Sequence, residues 1–112
     1  MTNERWLRWA ISKHFRSRGF QVNLKGARVG QAVVDGEVLG KGWRMAVEIK
    51  SGHDDVIRGL GQLNAALANG YDSAALVVSV RHANQLDPSM FKNQQIVVLG
   101  VDSKTQIHQI YP

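Results

Sequence analysis

Glu48 and Lys50 stand two residues apart in W-R-M-A-V-E-I-K (43–50), a run that alternates apolar and polar. On a strand, side chains two apart leave the same face, so a carboxylate and an ammonium project together. Asp35 precedes them in Q-A-V-V-D-G-E-V-L (31–39), and pairing of the two runs about the turn Gly40-Lys41-Gly42 brings it beside Glu48. Two carboxylates and the backbone carbonyl of Ile49 form an oxygen-rich donor set that suits Mg²⁺, with Mn²⁺ as a substitute. A cation so held lowers the pKa of a bound water and offsets charge building on a phosphate. Lys50 orients the attacking water and adds positive charge beside the scissile bond. The chemistry implied is metal-assisted phosphodiester hydrolysis.

The same residues admit plainer roles. Glu-x-Lys on an exposed strand makes a surface ion pair worth about 0–1 kcal/mol. Asp35-Gly36 is also a two-residue hairpin signal, which would leave Asp35 solvated at a turn tip. That hairpin has strands of only about three residues, below the usual five or six. One longer strand bent or bulged at Gly36, with the turn at Gly40–Gly42, is the expectation that keeps Asp35 near Glu48.

The elements that must position these residues read in order as helix, three strands, helix, strand, short helix, two strands: a mixed α/β domain. Residues 3–18 form a helix capped by Asn3, with Leu7, Ile11 and Phe15 at helical spacing, Ala10 and His14 alongside, and Gly19 as its stop. F-Q-V-N-L (20–24) is a strand and K-G-A-R-V-G (25–30) a basic loop. Trp43, Met45, Val47 and Ile49 face one way from their strand, and Arg44, Ala46, Glu48 and Lys50 the other. Asp54 caps a helix over 54–70 with Val56, Leu60, Leu63 and Leu67 as its stripe. Strands follow at 74–80, 95–101 and 105–111, with Asp87-Pro88 opening a short helix between the first two. Trp6 and Trp9 are assigned to the core.

The 112 residues suit one domain spanning 1–112, with 44% hydrophobic and 21% charged residues and no low-complexity tract. Cysteine is absent, which excludes disulfides and cysteine-based zinc sites and is compatible with a cytoplasmic location, for a cellular or a viral protein. No apolar run reaches the roughly 18 residues of a membrane span, and M-T-N-E-R-W-L-R-W lacks the apolar core of a secretory signal. Neither a membrane nor a small-molecule cofactor is expected. Net charge is +5, and all of it falls in residues 1–58, where eleven basic side chains face six acidic ones. A basic half that also holds the carboxylates points to a polyanion, nucleic acid first; a solvated basic face is the alternative.

Glu4, R-G-F-Q-V (18–22), Asp35, E-I-K (48–50) and G-Q-L (61–63) occur in this order. In this the chain resembles the PD-(D/E)XK nuclease superfamily, and in particular the archaeal Holliday junction resolvases. A second likeness is to the VRR-NUC branch, carried by Q-L-N-A-A-L-A-N-G-Y-D-S-A-A-L-V-V. The likeness covers about residues 3–80. Val34 stands where the family motif has Pro, and K-G-A-R-V-G-Q lacks the Ser that resolvases carry before the Asp.

The resemblance implies a restriction-endonuclease-like core, a mixed sheet flanked by helices, and a Mg²⁺-dependent endonuclease acting on branched or duplex DNA. It also implies that Asp35, Glu48 and Lys50 are catalytic, with Glu4 an auxiliary metal ligand, direct or through water. Gln62 then supports the site or touches the nucleic-acid backbone; an exposed helix Gln is its plainer role. Gly59 and Gly61 each cost a helix about 1 kcal/mol, so a close phosphate backbone or packed strand is expected beside them. Lys25, Arg28, Arg5, Arg8, Ser51 and Arg58 are the candidates for phosphate contacts. Cutting two symmetric strands of a junction suits a homodimer. His53 is read as a surface-loop residue, with phosphate or metal contact as the alternative. A nuclease acting on flaps, nicks or duplex, a non-catalytic nucleic-acid-binding module of the same fold, and a basic interaction protein with an accidental motif are the rival readings.

Overall fold

The computed structural model describes residues 4–52, 55–92 and 94–112, so Asn3, His53 and Asp54 lie outside the described residues. Helix α1 (Glu4–Arg16) buries Leu7, Ala10 and Ile11 almost completely. The chain then reverses through Gly19 at φ +87°, a conformation glycine adopts without a Cβ penalty. Trp9 does not join the core: it is 52% exposed, because it lies off the Leu7–Ile11 stripe, and Lys13 sits 5.0 Å over its ring. Trp6 is half-buried against the core.

Strands β1 (Gln21–Asn23), β4 (Gly36–Gly40), β5 (Trp43–Ile49), β6 (Ser73–Ser79), β7 (Ile96–Val101) and β8 (Ile107–Tyr111) form one sheet in the order β1-β4-β5-β6-β7-β8. The β5–β6 and β6–β7 pairs are parallel and the rest antiparallel, which makes the sheet mixed. The segment expected to be a loop instead holds β2 (Ala27–Val29), which pairs with β3 (Ala32–Val34) as a separate hairpin. Gly30 and Gln31 form its two-residue turn, with Gly30 at φ +60°, so the hairpin tip lies there and not at Asp35-Gly36. The second hairpin turns at Lys41-Gly42 as expected, because Gly40 pairs with Trp43.

Helix α2 (Val56–Ala68) is capped by the Asp55 side chain, which accepts from the Arg58 N–H. A short helix α3 (Val80–Ala83), capped by Ser79, follows β6 directly and takes in Val80, the last residue of the strand expected over 74–80. Asp87 and Pro88 open a 3-10 turn over Pro88–Phe91.

The alternation of β5 sorts the core into two layers. Met45, Val47 and Ile49 join Leu7, Ala10 and Ile11 beneath α1, with Ala75 and Val77 from β6. Ala46 joins Leu60, Leu63 and Ala66 of α2, with Ala74, Leu76 and Val78 from β6. Glu48 leaves the strand on the α2 side, an acid pointed into an apolar layer.

Gly36 lets the chain bend from the small hairpin into the main sheet. A Cβ there would stand 2.4 Å from the Asn23 carbonyl oxygen and 2.6 Å from Leu24 Cδ2, and backbone cannot yield as a side chain can. Gly36→Ala is therefore expected to lower stability by about 3 kcal/mol, the upper part of the overpacking range. Urea denaturation measures this; a loss below about 1 kcal/mol would show that the bend tolerates a side chain.

Candidate active site

The β4–β5 register pairs Gly36 with Val47, so one step further places Asp35 across from Glu48. Two main-chain N–H groups tie the bend to β5 through these carboxylates. The Asp35 N–H donates to Glu48 Oε1 at 2.8 Å, and the Ile49 N–H donates to Asp35 Oδ2 at 2.7 Å. Each carboxylate is thus oriented by backbone beside the other, and neither relies on a flexible partner. Because the N–H and C=O of a strand residue leave toward the same neighbour, the Ile49 carbonyl also faces the Asp35 side. Asp35 sits at the bend, half-buried, with its own carbonyl accepting from Gly26 N–H at 2.9 Å.

Glu48 is 1% exposed and Lys50 Nζ lies 3.7 Å from its Oε2. Burial, and next the charge of Asp35, push the Glu48 carboxyl up to about 7; the hydrogen bond from Asp35 N–H and the Lys50 ammonium pull the other way without prevailing. A carboxylate pair that one ammonium does not neutralise, built of hard oxygen donors, fits a divalent cation. Asp35, Glu48 and the Ile49 carbonyl are the residues that would hold it.

One glycine of α2 seats the site. A Cβ on Gly59 of α2 would stand 3.0 Å from Lys50 Cε and 3.9 Å from Glu48 Oε2, so the missing side chain is the space the lysine stem occupies. The expectation of a close neighbour is met there, by a packed strand end. Nothing lies within 4 Å of a Cβ on Gly61, and the structure offers no reason for that glycine. Gln62 does not face the carboxylates: its amide donates to the Val33 carbonyl at 2.7 Å. That bond ties α2 to the strand just before Asp35, which makes Gln62 a fastening residue.

Glu4 is not gathered with the pair. Its carboxylate binds Arg8 one turn on, at 2.9 Å, and among the described residues no three His, Cys, Asp or Glu side chains converge as a metal-holding group. Arg8, expected at phosphate, spends its guanidinium on Glu4 and on the Leu24 carbonyl, fastening α1 to the chain beside Gly36. Glu37 lies on the Asp35 face two residues on, yet Tyr71 Oη donates to its Oε1 at 2.7 Å and diverts it. Burial, then this bond to Glu37, raise the Tyr71 hydroxyl to about 12. Lys25 and Arg58 are exposed, and each is next in sequence to a residue at the site: Lys25 to Gly26, bonded to Asp35, and Arg58 to Gly59, packed on Lys50. Arg5 and Arg28 are exposed, and Ser51 is half-buried just past Lys50.

No protein-family model matches this sequence, and no curated protein matches it. Solved structures do. The chain is similar to a protein of unknown function from Silicibacter pomeroyi, with TM-score 0.70 and 18% identity over 98% of this chain and 70% of that one. It is similar to an XisH family protein from Nostoc punctiforme, with TM-score 0.62 and 19% identity over 95% and 99% of the two chains. The fold is restriction-endonuclease-like. SfsA from Pyrococcus furiosus, solved in complex with Ca²⁺, shares this restriction-endonuclease-like arrangement at TM-score 0.59 and 15% identity, over 95% of this chain and 62% of that one. Among the described residues no helix is long and apolar enough to cross a membrane.

Two outcomes follow from the geometry. In metal-free protein, folded Glu48 holds its proton up to about pH 7, whereas the unfolded chain releases it near the ordinary 4.5. The folded state binds the extra proton between these values, so stability falls as pH rises from about 4.5 to 7 and then levels. Melting temperatures in EDTA should show this fall for the native chain relative to Glu48→Gln, and saturating Mg²⁺ should remove it; parallel curves for the two proteins would refute the assignment. Gly59→Ala should keep or slightly raise stability, since alanine favours the helix by about 1 kcal/mol, while displacing Lys50. A fall in any Mg²⁺-dependent cleavage with unchanged melting is the expected pattern.

Proposed function

We propose that this protein is a metal-dependent endodeoxyribonuclease that hydrolyses phosphodiester bonds, selective for branched DNA as a Holliday junction resolvase is, and acting as a homodimer. The observation that carries the reading is the Asp35–Glu48 pair with Lys50 beside it: one acid from the bend before β4, a buried acid from β5 and one amine meet at the end of β5. The Ca²⁺ held by SfsA, a protein of similar fold, supports a divalent cation as the cofactor, with Mg²⁺ the physiological choice and Mn²⁺ a substitute.

When bound by Asp35, Glu48 and the Ile49 carbonyl, the cation supplies an acidified water and charge compensation at the phosphate. The protein does the rest. Asp35 and Glu48 are held by main-chain amides, so they need no reorganisation during the reaction. Glu48 must be ionised to serve, and its raised pKa makes cation and proton compete for the same oxygens. Lys50, 16% exposed, keeps its ammonium at the edge of the buried pair, where it orients the attacking water and faces the phosphate. Lys25 and Arg58 put positive charge next in sequence to the site, which suits a polyanionic backbone over an uncharged substrate.

Lys50→Ala should reduce cleavage by about 10²–10³-fold while DNA binding persists. Asp35→Asn and Glu48→Gln should abolish Mg²⁺-dependent cleavage at pH 7.5 or so, since each removes a hard anionic donor. A panel of labelled four-way junctions, flaps, nicked and intact duplexes, with Mg²⁺ or Mn²⁺, reads both activity and selectivity. Paired symmetric cuts on the junction fit the resolvase form; cuts on flaps or duplex alone would replace it with a flap or duplex nuclease. If every substrate stays intact, or the three variants cleave as the parent does, the catalytic reading is lost.

A further inference from the structure

We infer that the outer flank of α1, together with the β7–β8 turn, forms a second nucleic-acid site that holds an unpaired strand. A cleft of about 470 Å³ opens there, and Lys13, His14, Arg18, Lys104 and His108 line it. Three fixed cations and two imidazoles face this space, and none of its lining residues is acidic. None of the five belongs to the Asp35–Glu48–Lys50 site.

The cleft is held by its own framework. Arg18 donates to the His14 carbonyl and to Ser17 Oγ at the end of α1, which sets the guanidinium on this flank. Across the cleft, the Asp102 carboxylate accepts from the Lys104 and Gln106 N–H groups and meets His108 Nε2 at 2.7 Å. Its charge is thereby spent inside the turn, which presents Lys104 and His108 outward. Thr105 at φ +64° completes the tight reversal.

A second observation names the ligand. Lys13 belongs to the cleft and also sits over one face of the Trp9 ring, while half of Trp9 stays open to solvent. An indole exposed beside a row of cations is the pairing that binds a single strand: bases stack on the ring and phosphates follow the charges. In a duplex the bases already stack on one another, so an exposed Trp favours an unpaired segment. The ligand is therefore a single-stranded stretch of nucleic acid, such as a strand next to a branch point. The inference rests on the nucleic-acid reading above, not on cleavage.

Binding in EDTA tests it, by fluorescence anisotropy of a labelled single strand of about 15 nucleotides and of the matching duplex, across a salt series. Trp9→Ala should weaken single-strand binding about tenfold and duplex binding less. Lys13→Ala/Lys104→Ala should flatten the slope of log affinity against log salt by about 1.4, two phosphates at about 0.7 each. All three positions are exposed, and circular dichroism checks that the variants stay folded. Single-strand affinity and slope equal to the parent's in both variants would overturn the site, as would equal loss for duplex and single strand in Trp9→Ala. If the parent cleaves DNA yet these variants bind unchanged, only this site fails; if the parent neither binds nor cleaves, the nucleic-acid reading fails with it.

Discussion

The candidate site depends on one pairing: two carboxylates, from the bend before β4 and from β5, each oriented by a main-chain N–H, Glu48 by that of Asp35 and Asp35 by that of Ile49. Like charges repel most strongly where water is scarce. The pair persists because backbone donors hold one oxygen of each acid and Lys50 lies near the other oxygen of Glu48. The remaining imbalance appears as the raised pKa of Glu48, a buried acid near the pH at which proton and cation compete. Perturbed acids of this kind mark sites where charge is stored for use.

Much of the surrounding architecture holds that pair in position. Gly36 lets the chain leave the β2–β3 hairpin and enter the main sheet without collision. Gln62 fastens the hairpin to α2 just before the bend, and Gly59 leaves room on the same helix for the Lys50 stem. Helix α2 thus steadies both Asp35, through Val33, and Lys50, by contact. A site placed on strand ends and clamped by one helix loses little entropy on binding, which is the advantage of rigid elements over loops.

Charge is distributed on two sides. Lys25 and Arg58 accompany the carboxylate pair, whereas Lys13, Arg18 and Lys104 line a separate cleft assembled from α1 and the β7–β8 turn. Lys104 comes from the half of the chain that is neutral in sum, so only folding brings it to the basic helix. Arg8 and Arg16, which look like surface cations in the sequence, instead bind carbonyls of Leu24 and Val22 and pin α1 to the chain around β1.

The sequence by itself determined the mixed α/β class, the β5 alternation and the facing of Glu48 and Lys50, because period-2 and helical spacings are local consequences of backbone geometry. The turn at Lys41-Gly42 and the caps near Asp87 and Gly19 were legible for the same reason. Tertiary structure alone decided what depends on contacts distant in the chain. Gln62 and Arg8 found carbonyls as partners, and Glu37 was diverted to Tyr71. The β2 strand formed in a basic, glycine-bearing stretch because β3 lay ready to pair with it. Residue type states which bonds a side chain can make; the fold decides which partner comes within reach first.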